Sequence, residues 1–355
     1  MATGFIGTGG DGTRVFGLDP ATRAGRFARA AGLVAGEGTD GTIVADLGYG
    51  WDPAWLGWLK TRPGTAVTIA GFPALVHRRA GATLDVPADA EIRRVEDGTS
   101  LYNATLRKRD DAYLMPLTPA TAPAVERASY DASYKGVTDL LTLYLWRGTA
   151  FHLTRAAAAL RLSPTMVTTI GLALCVWATL LFYRGHFLAG LIVGLVFMVL
   201  DTVDGKLARC TGTSSKFGHL LDHGTDLIHP PIWYWAWGIG LTAWDLAFAP
   251  GVLWTILGLL VVGYVVQRLI EGAFIGAFGM HIHVWRLADS RFRLVTARRN
   301  PNWLVLLASV IAGRPDWGLI AVLAWTIASC LFHLVRLAQA FAARARGAEI
   351  VSWLA

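Results

Sequence analysis

Past residue 137 the chain is dominated by apolar stretches near the length needed to cross a bilayer, and this limits its fold more than any other feature. A hydrocarbon core of about 30 Å takes roughly 20 helical residues to span. Six stretches approach that length: 164–184, 188–209, 217–243, 249–270, 301–313 and 317–340, the fifth being short. Ahead of them, Leu140–Leu160 is apolar but interrupted by Arg147, His152 and Arg155, which suits a helix lying in the membrane interface. Composition agrees, with 54% hydrophobic and only 16% charged residues, against about 25% charge in soluble globular chains.

Residues 1–105 contain no span-long apolar run. Short β-like stretches (Thr42–Ala45, Ala66–Ile69) alternate there with helical ones (Ala21–Ala31, Ala54–Leu59), the pattern of a small α/β domain. Residues 106–136, from Leu106-Arg107-Lys108-Arg109 through Pro116 and Pro119 to Lys135, mix charge with proline and read as a connector. The expected architecture is an all-α polytopic membrane domain over 137–345, with six transmembrane helices plus an interfacial helix, behind a small N-terminal cytoplasmic α/β domain. No signal-peptide pattern opens the sequence. Cys175, Cys210 and Cys330 are scattered and imply neither a disulfide framework nor a thiolate metal site.

The formal net charge of +7 would suggest nucleic acid in a soluble protein. Here the loops account for it. One side of the six-span topology receives Arg209, Lys216, Arg286, Arg291, Arg293, Arg298, Arg299, Arg344 and Arg346, and the other little beyond Arg184 and Arg314. Lys and Arg in short loops mark the cytoplasmic face. Both termini are therefore expected on the cytoplasmic side of the inner membrane, with no nucleic-acid partner.

The segment Leu200–Asp226 carries the chemistry. Asp201, Asp204 and Ala208 fall on one face of the second span, with Gly205 and Arg209 beside them; Gly218, Asp222 and Asp226 fall on one face of the third. Two antiparallel helices thus aim four carboxylates at one place near the cytoplasmic boundary. An uncompensated ionisable group inside a span costs on the order of 2.5–3.5 kcal/mol, so a mere polar turn is a poor explanation for four of them. Hard oxygen ligands without cysteine suit Mg²⁺ or Mn²⁺, and four carboxylates suffice for two ions that clamp both ends of a phosphoryl displacement. Gly205 and Gly218 leave room for a ligand, Arg209 has the fork geometry for a diphosphate, and Ser214 and Ser215 supply hydroxyls in the turn.

This string closely resembles the motif of the CDP-alcohol phosphotransferase family: Asp, two residues, Asp-Gly, two residues, Ala-Arg, eight residues, Gly, three residues, Asp, three residues, Asp. Every fixed position is filled between Asp201 and Asp226. The resemblance implies that Asp201, Asp204 and Asp222 bind metal, and that Asp226 contacts the second ion and is the catalytic base for the acceptor hydroxyl. It places Gly205, Ala208, Arg209, Ser215 and Gly218 around the CDP moiety of the donor. Members often carry Pro-Asn at the start of the first span; here Pro164-Thr165 stands there, with Thr165 and Thr168 left to make part of that contact. The implied reaction moves a phosphatidyl or phospho-alcohol group from a CDP-linked donor, CDP-diacylglycerol being the natural choice in a membrane, to a small polar alcohol such as inositol phosphate or glycerol phosphate, with CMP released. A soluble donor such as CDP-inositol with a lipid acceptor, and a non-catalytic scaffold or transporter, remain alternatives. The family also implies a homodimer.

Lys135, Arg147, Arg155, Lys216, Arg291 and Arg293 are candidates to hold an acceptor phosphate, Lys135 and Arg155 before the others because they precede the first span. Ordinary positive-inside anchoring competes with that reading at each position. His219, His223 and His229 read as packing or hydrogen-bonding groups, and His281 and His283 alternate as on a strand or extended loop. Trp233, Trp235, Trp237, Trp303 and Trp317 read as interfacial anchors near span ends. The glycine-rich segment 7–14 has no strand pattern before it and no P-loop lysine. The order of elements, with Val44-Ala45-Asp46, faintly resembles the cytidylyltransferase part of bifunctional inositol-phosphate cytidylyltransferase/dialkylglycerol-inositol-phosphate synthases, here as a degenerate, non-catalytic relative.

Overall fold

The computed structural model describes residues 2–214 and 216–355, and the side chains of Lys216, Phe217, His219, Asp222 and His223 lie outside that description. The chain divides into two compact units. One gathers Met1–Gly136, Phe151–Pro164 and Gly205–Ser214; the other gathers Val137–Ala150, Thr165–Asp204 and Ser215–Ala355.

The first unit opens β1 (Gly4–Thr8), α1 (Pro20–Ala30), β2 (Val34–Ala35), β3 (Thr42–Asp46), β4 (Tyr49–Trp51) and α2 (Ala54–Lys60). It continues through β5 (Thr65–Ile69), β6 (Phe72–Arg78), β7 (Glu91–Arg94), β8 (Ser100–Asn103), β9 (Lys108–Asp111), β10 (Leu114–Pro116) and α3 (Ala122–Ala132). Six strands form one sheet in the order β2-β1-β3-β6-β5-β7. β1 runs parallel to both β2 and β3, whereas β6 runs antiparallel to β3 and β5. Ile43, Val44 and Ala45 of β3 have no exposed surface, as a continuous apolar run covered on both faces requires. Asp19 starts α1 by accepting a hydrogen bond from the Thr22 amide at 2.8 Å, with Pro20 in the first turn. The helix then buries Ala24, Phe27 and Ala28. Phe27 and Phe5 meet Trp51 edge-on at 6.3 and 6.4 Å, in a core completed by Trp55, Leu56 and Leu59.

Two expectations change here. A strand, β1, does precede the glycine-rich segment; its own Gly4 and Gly7 hide the apolar alternation. Residues 106–136, expected as a connector, carry β9, β10 and α3, with β9 paired to β8 and β10 to β4. The β9 sequence Lys108-Arg109-Asp110-Asp111 is held by backbone pairing rather than by an apolar face.

The remaining helices are α4 (Arg147–Ala159), α5 (Pro164–Tyr183), α6 (Phe187–Thr211), α7 (Lys216–Gly240), α8 (Pro250–Phe278), α9 (Leu287–Arg293), α10 (Arg299–Ile311) and α11 (Pro315–Ala345). A single π turn, Leu141–Leu145, precedes α4. Six spans were expected; among the described residues four helices, α5, α6, α8 and α11, are long and apolar enough to cross a membrane. The 13 residues of α10 reach only about 20 Å at 1.5 Å per residue. α7 carries Pro230 and Pro231 inside its length.

Several tryptophans are not surface anchors. Trp237 has no exposed surface and donates to the Pro315 carbonyl at 2.9 Å, and Trp303, also buried, donates to the Leu191 carbonyl at 3.0 Å. Trp233 is buried as well, whereas Trp317 is exposed. His283 lies not on a strand but in a 3₁₀ turn, Ile282–Val284, and is buried.

Candidate functional site

In the second unit, α6 and α7 present Asp201 and Asp226 to one cation, Arg299, which by sequence alone is a loop charge. Arg299 donates from Nη2 to Asp201 Oδ2 at 2.5 Å and from Nη1 to Asp226 Oδ1 at 2.8 Å. The Arg299 and Asp201 side chains keep 13% and 17% of their surface, while Asp226 keeps 48%. One carboxylate is therefore enclosed and the other open to an incoming group. Arg299 is the first residue of α10, where a cation opposes the helix dipole. The two carboxylates, and the Phe197 ring 5.1 Å from the guanidinium, hold it there. Asp204 instead accepts a hydrogen bond from Thr168 Oγ1 of α5 at 2.6 Å.

Behind Arg299 lies a polar chain that sequence reasoning missed. Arg299 Nε donates to Asn300 Oδ1 at 3.0 Å, and Asn300 Nδ2 donates to Thr142 Oγ1 at 3.2 Å. Asp139 accepts from the Thr142 amide at 3.0 Å and from its hydroxyl at 2.8 Å. Burial opposes ionisation of Asp139, but the Arg293 charge and the Thr142 and Asn300 hydrogen bonds outweigh it, so its pKa lies below the ordinary value. Its one visible signal was a carboxylate heading an apolar run, the position of a helix cap.

Among the described residues no group of three or more His, Cys, Asp or Glu side chains is placed to hold a metal ion. The expected four-carboxylate set is thus represented by two side chains that converge, Asp201 and Asp226, with Asp204 turned to Thr168. The Asp222 side chain, like those of Lys216, His219 and His223, lies outside the described residues, as does Ser215. Two carboxylates that face one cationic point supply the oxygen donors a hard divalent ion takes, so the residues present fit such an ion in kind.

The middle of the motif, Gly205 to Arg209, belongs to the first unit. A Cβ on Gly205 would lie 3.0 Å from Arg209 Nη2, so the glycine lets the guanidinium rest against the helix. Arg209 Nε donates to the Ser133 carbonyl at 3.0 Å. Ala208 and Gly218 are partly buried. Thr165, also partly exposed, gives its carbonyl to Thr169 Oγ1 at 2.9 Å.

Of the acceptor candidates, Lys135 and Arg155 belong to the first unit and Arg291 to the second. Arg155 pairs with Glu126 at 2.6 Å within the first unit, and Arg291 is exposed on α9. Lys135 is partly buried. His229 is buried, with Nδ1 at 2.7 Å from the Thr225 carbonyl and its ring edge-on to Phe197 and Trp233.

Residues 161–288 match the CDP-alcohol phosphatidyltransferase family. An archaetidylinositol phosphate synthase of Pyrococcus horikoshii is 35% identical over 112 residues, covering 31% of this chain and 56% of that protein. A phosphatidylinositol phosphate synthase of Mycobacteroides abscessus is 29% identical over 195 residues, covering 45% of this chain and 89% of the other. The crystal structure of Mycobacterium tuberculosis phosphatidylinositol phosphate synthase with CDP-DAG bound aligns with a TM-score of 0.41 at 21% identity, over 54% of this chain and 94% of that one. The segment 161–288, which holds the Asp201–Asp226 motif, belongs to the CDP-alcohol phosphatidyltransferase family.

Proposed function

We propose that the chain is an integral-membrane phosphotransferase that moves a phosphatidyl group from CDP-diacylglycerol to a hydroxyl of a small polar acceptor, releasing CMP. The observation that carries this reading is the convergence of Asp201 and Asp226 on a single cationic point. The family match over 161–288 adds the reaction class, and the names of the two relatives favour inositol phosphate over glycerol phosphate as acceptor. A hydrocarbon-bearing substrate is supported by an apolar cavity of about 640 Å³ between α5 and α7, lined by Leu172, Val176, Leu180, Leu221, Ile228 and Ile232 among others. The full reading has six spans, α7 and α10 completing the four, an interfacial α4, both termini cytoplasmic, and a homodimer.

Asp201, Asp204, Asp222 and Asp226 would hold one or two Mg²⁺ or Mn²⁺ ions, which supply charge neutralisation for the pyrophosphate when bound. Asp226, the more exposed carboxylate, takes the proton of the acceptor hydroxyl. The freed oxygen forms a bond to the β-phosphorus of the donor as the bond from that phosphorus to the bridging oxygen breaks, and the electron pair leaves with CMP. Arg209 steadies the diphosphate, with Gly205, Ala208, Ser215, Gly218, Thr165 and Thr168 about the nucleotide. Lys135, Arg155, Lys216 and Arg291 are the candidates for an acceptor phosphate.

The test is release of CMP by the purified full chain, with Mg²⁺ or Mn²⁺, from labelled CDP-diacylglycerol with inositol phosphate in one arm and labelled CDP-inositol with a lipid alcohol in the other. Release in the first arm alone, reduced by about 10²–10⁴-fold in Asp226→Asn, is expected. Undiminished release in Asp226→Asn overturns its role as base, and release only in the second arm reverses donor and acceptor.

A further inference from the structure

Two prolines, Pro230 and Pro231, lie inside α7 shortly after Asp226. In a regular helix the Asp226 carbonyl would accept from the amide at position 230, but proline has no N–H to give it. The next position, 231, lacks one too. Within a bilayer such a carbonyl has no water to turn to, and proline in a span is tolerated where a neighbouring element supplies the missing donor. Here α8 supplies it. The Tyr264 hydroxyl donates to the Asp226 carbonyl at 3.1 Å.

Asp226 is thereby held at both ends, its carbonyl by α8 and its carboxylate by Arg299 Nη1 of α10 at 2.8 Å. Tyr264 has a fixed setting of its own. One turn further along α8, the Arg268 guanidinium lies 5.1 Å from the centroid of its ring, and Arg268 pairs with Glu271 at 3.3 Å. A proline ring also crowds the carbonyl four residues before it. The path of α7 at Asp226 is therefore set by the proline pair and by whichever donor replaces the lost amide.

We infer that Tyr264 is a positioning residue for Asp226: its hydroxyl replaces the amide that Pro230 lacks and fixes the stretch of α7 from which the carboxylate meets the acceptor hydroxyl. This rests on the reading of Asp226 as base proposed above. It also gives the proline pair a role. An unbroken amide ladder would keep the Asp226 carbonyl within α7, whereas the prolines hand its placement to α8.

The test is the rate of CMP release by the full-length protein in detergent with Mn²⁺, in whichever of the two arms above is active, with the unfolding temperature measured alongside. Tyr264→Phe keeps the ring and removes only the hydroxyl. It is expected to lower kcat by about three- to tenfold while KM for the CDP-linked donor stays at the wild-type value. A bond that served stability alone would lower the unfolding temperature and leave kcat unchanged well below it, and that result overturns the inference. Pro230→Ala restores the missing amide. In that background Tyr264→Phe is expected to release CMP at the rate of Pro230→Ala alone. Because the carbonyl is paired again there, this comparison also serves where Tyr264→Phe by itself does not fold. An equal loss from Tyr264→Phe with and without Pro230 would mean that the hydroxyl acts elsewhere than on the freed carbonyl, and the inference fails. If Tyr264→Phe keeps its full rate while Asp226→Asn is slow, the inference alone falls and the proposed function stands. If Asp226→Asn is as fast as wild type, the base assignment falls and the inference with it.

Discussion

Arg298 and Arg299 are neighbours in sequence and serve opposite kinds of charge cluster. Arg298 pairs with Glu271 on α8, which also meets Arg268 at 3.3 Å and His283 Nε2 at 3.3 Å. One carboxylate there faces two guanidinium groups and an imidazole, and its side chain keeps 11% of its surface. Arg299 faces the reverse balance, one guanidinium between two carboxylates, of which Asp226 is half exposed. The first cluster is saturated and holds α8 to the start of α10 and to the turn at His283. The second is short of positive charge and open. Charge balance, rather than burial alone, therefore marks which polar cluster in the helical unit is equipped to receive a further cation.

The largest expected effect separates the clusters by stability. Glu271→Gln leaves Arg298 and Arg268 without a counter-charge in a low-dielectric setting, at a cost of about 3–5 kcal/mol, read as a fall in thermal unfolding temperature in detergent. Asp226→Asn, at 48% exposure, is expected to unfold near the wild-type temperature while losing CMP release. Equal destabilisation by the two substitutions breaks the contrast. Next in size is Arg299→Gln. Without its cation the pair Asp201 and Asp226 repels, and the metal-free protein is expected to lose about 1–3 kcal/mol. Mn²⁺ should then raise the unfolding temperature of the variant more than that of wild type, because binding to the folded state alone stabilises it by linkage. An identical Mn²⁺ shift in both proteins would show that Arg299 does not answer the deficit of charge. A smaller change follows Gly205→Ala, whose Cβ would stand 3.0 Å from Arg209 Nη2. Displacing the fork by a few tenths of an ångström is expected to weaken CDP by roughly three- to fivefold, under 1 kcal/mol, and unaltered CDP affinity would place the fork elsewhere in the bound state.

The two clusters were not equally legible beforehand. Asp201, Asp204, Gly205 and Arg209 sit at fixed spacing on one helix, so local periodicity alone placed them on neighbouring turns. Long apolar runs likewise announced α5, α6, α8 and α11, because a bilayer-length helix needs no partner to be recognised. Arg299 was out of reach, since its contact with Asp201 joins residues 98 positions apart and only the packed helices bring them together. Glu271 was hidden in an otherwise apolar stretch for the same reason. The strands β1 and β9 escaped because glycine in one and charge in the other mask the alternation, while backbone pairing with β3 and β8 holds them.

A third arrangement in the N-terminal unit extends the comparison to a carboxylate whose neighbouring cations are engaged elsewhere. Asp52 accepts the Ala54 amide at 2.8 Å, opening α2. Lys108 lies near it but pairs with Asp110 at 2.7 Å, and Arg23 lies near it but donates to Tyr113 and Ser129. Burial consequently dominates and raises the Asp52 pKa, the Ala54 hydrogen bond and the charges of Lys108 and Arg23 offsetting it only in part. A carboxyl with a raised folded-state pKa favours folding fully below its unfolded value, about 3.9, and that contribution is lost as pH rises through the folded value. Asp52→Asn keeps an acceptor for the Ala54 amide and removes the buried charge. The variant is therefore expected to match wild type at the acid end and to exceed it by a few degrees in unfolding temperature near pH 7, the smallest effect of the series. Unfolding curves of the two proteins that stay parallel from pH 4 to pH 8 would mean that Asp52 is compensated after all, and that an engaged cation nearby serves a carboxylate as well as one in contact.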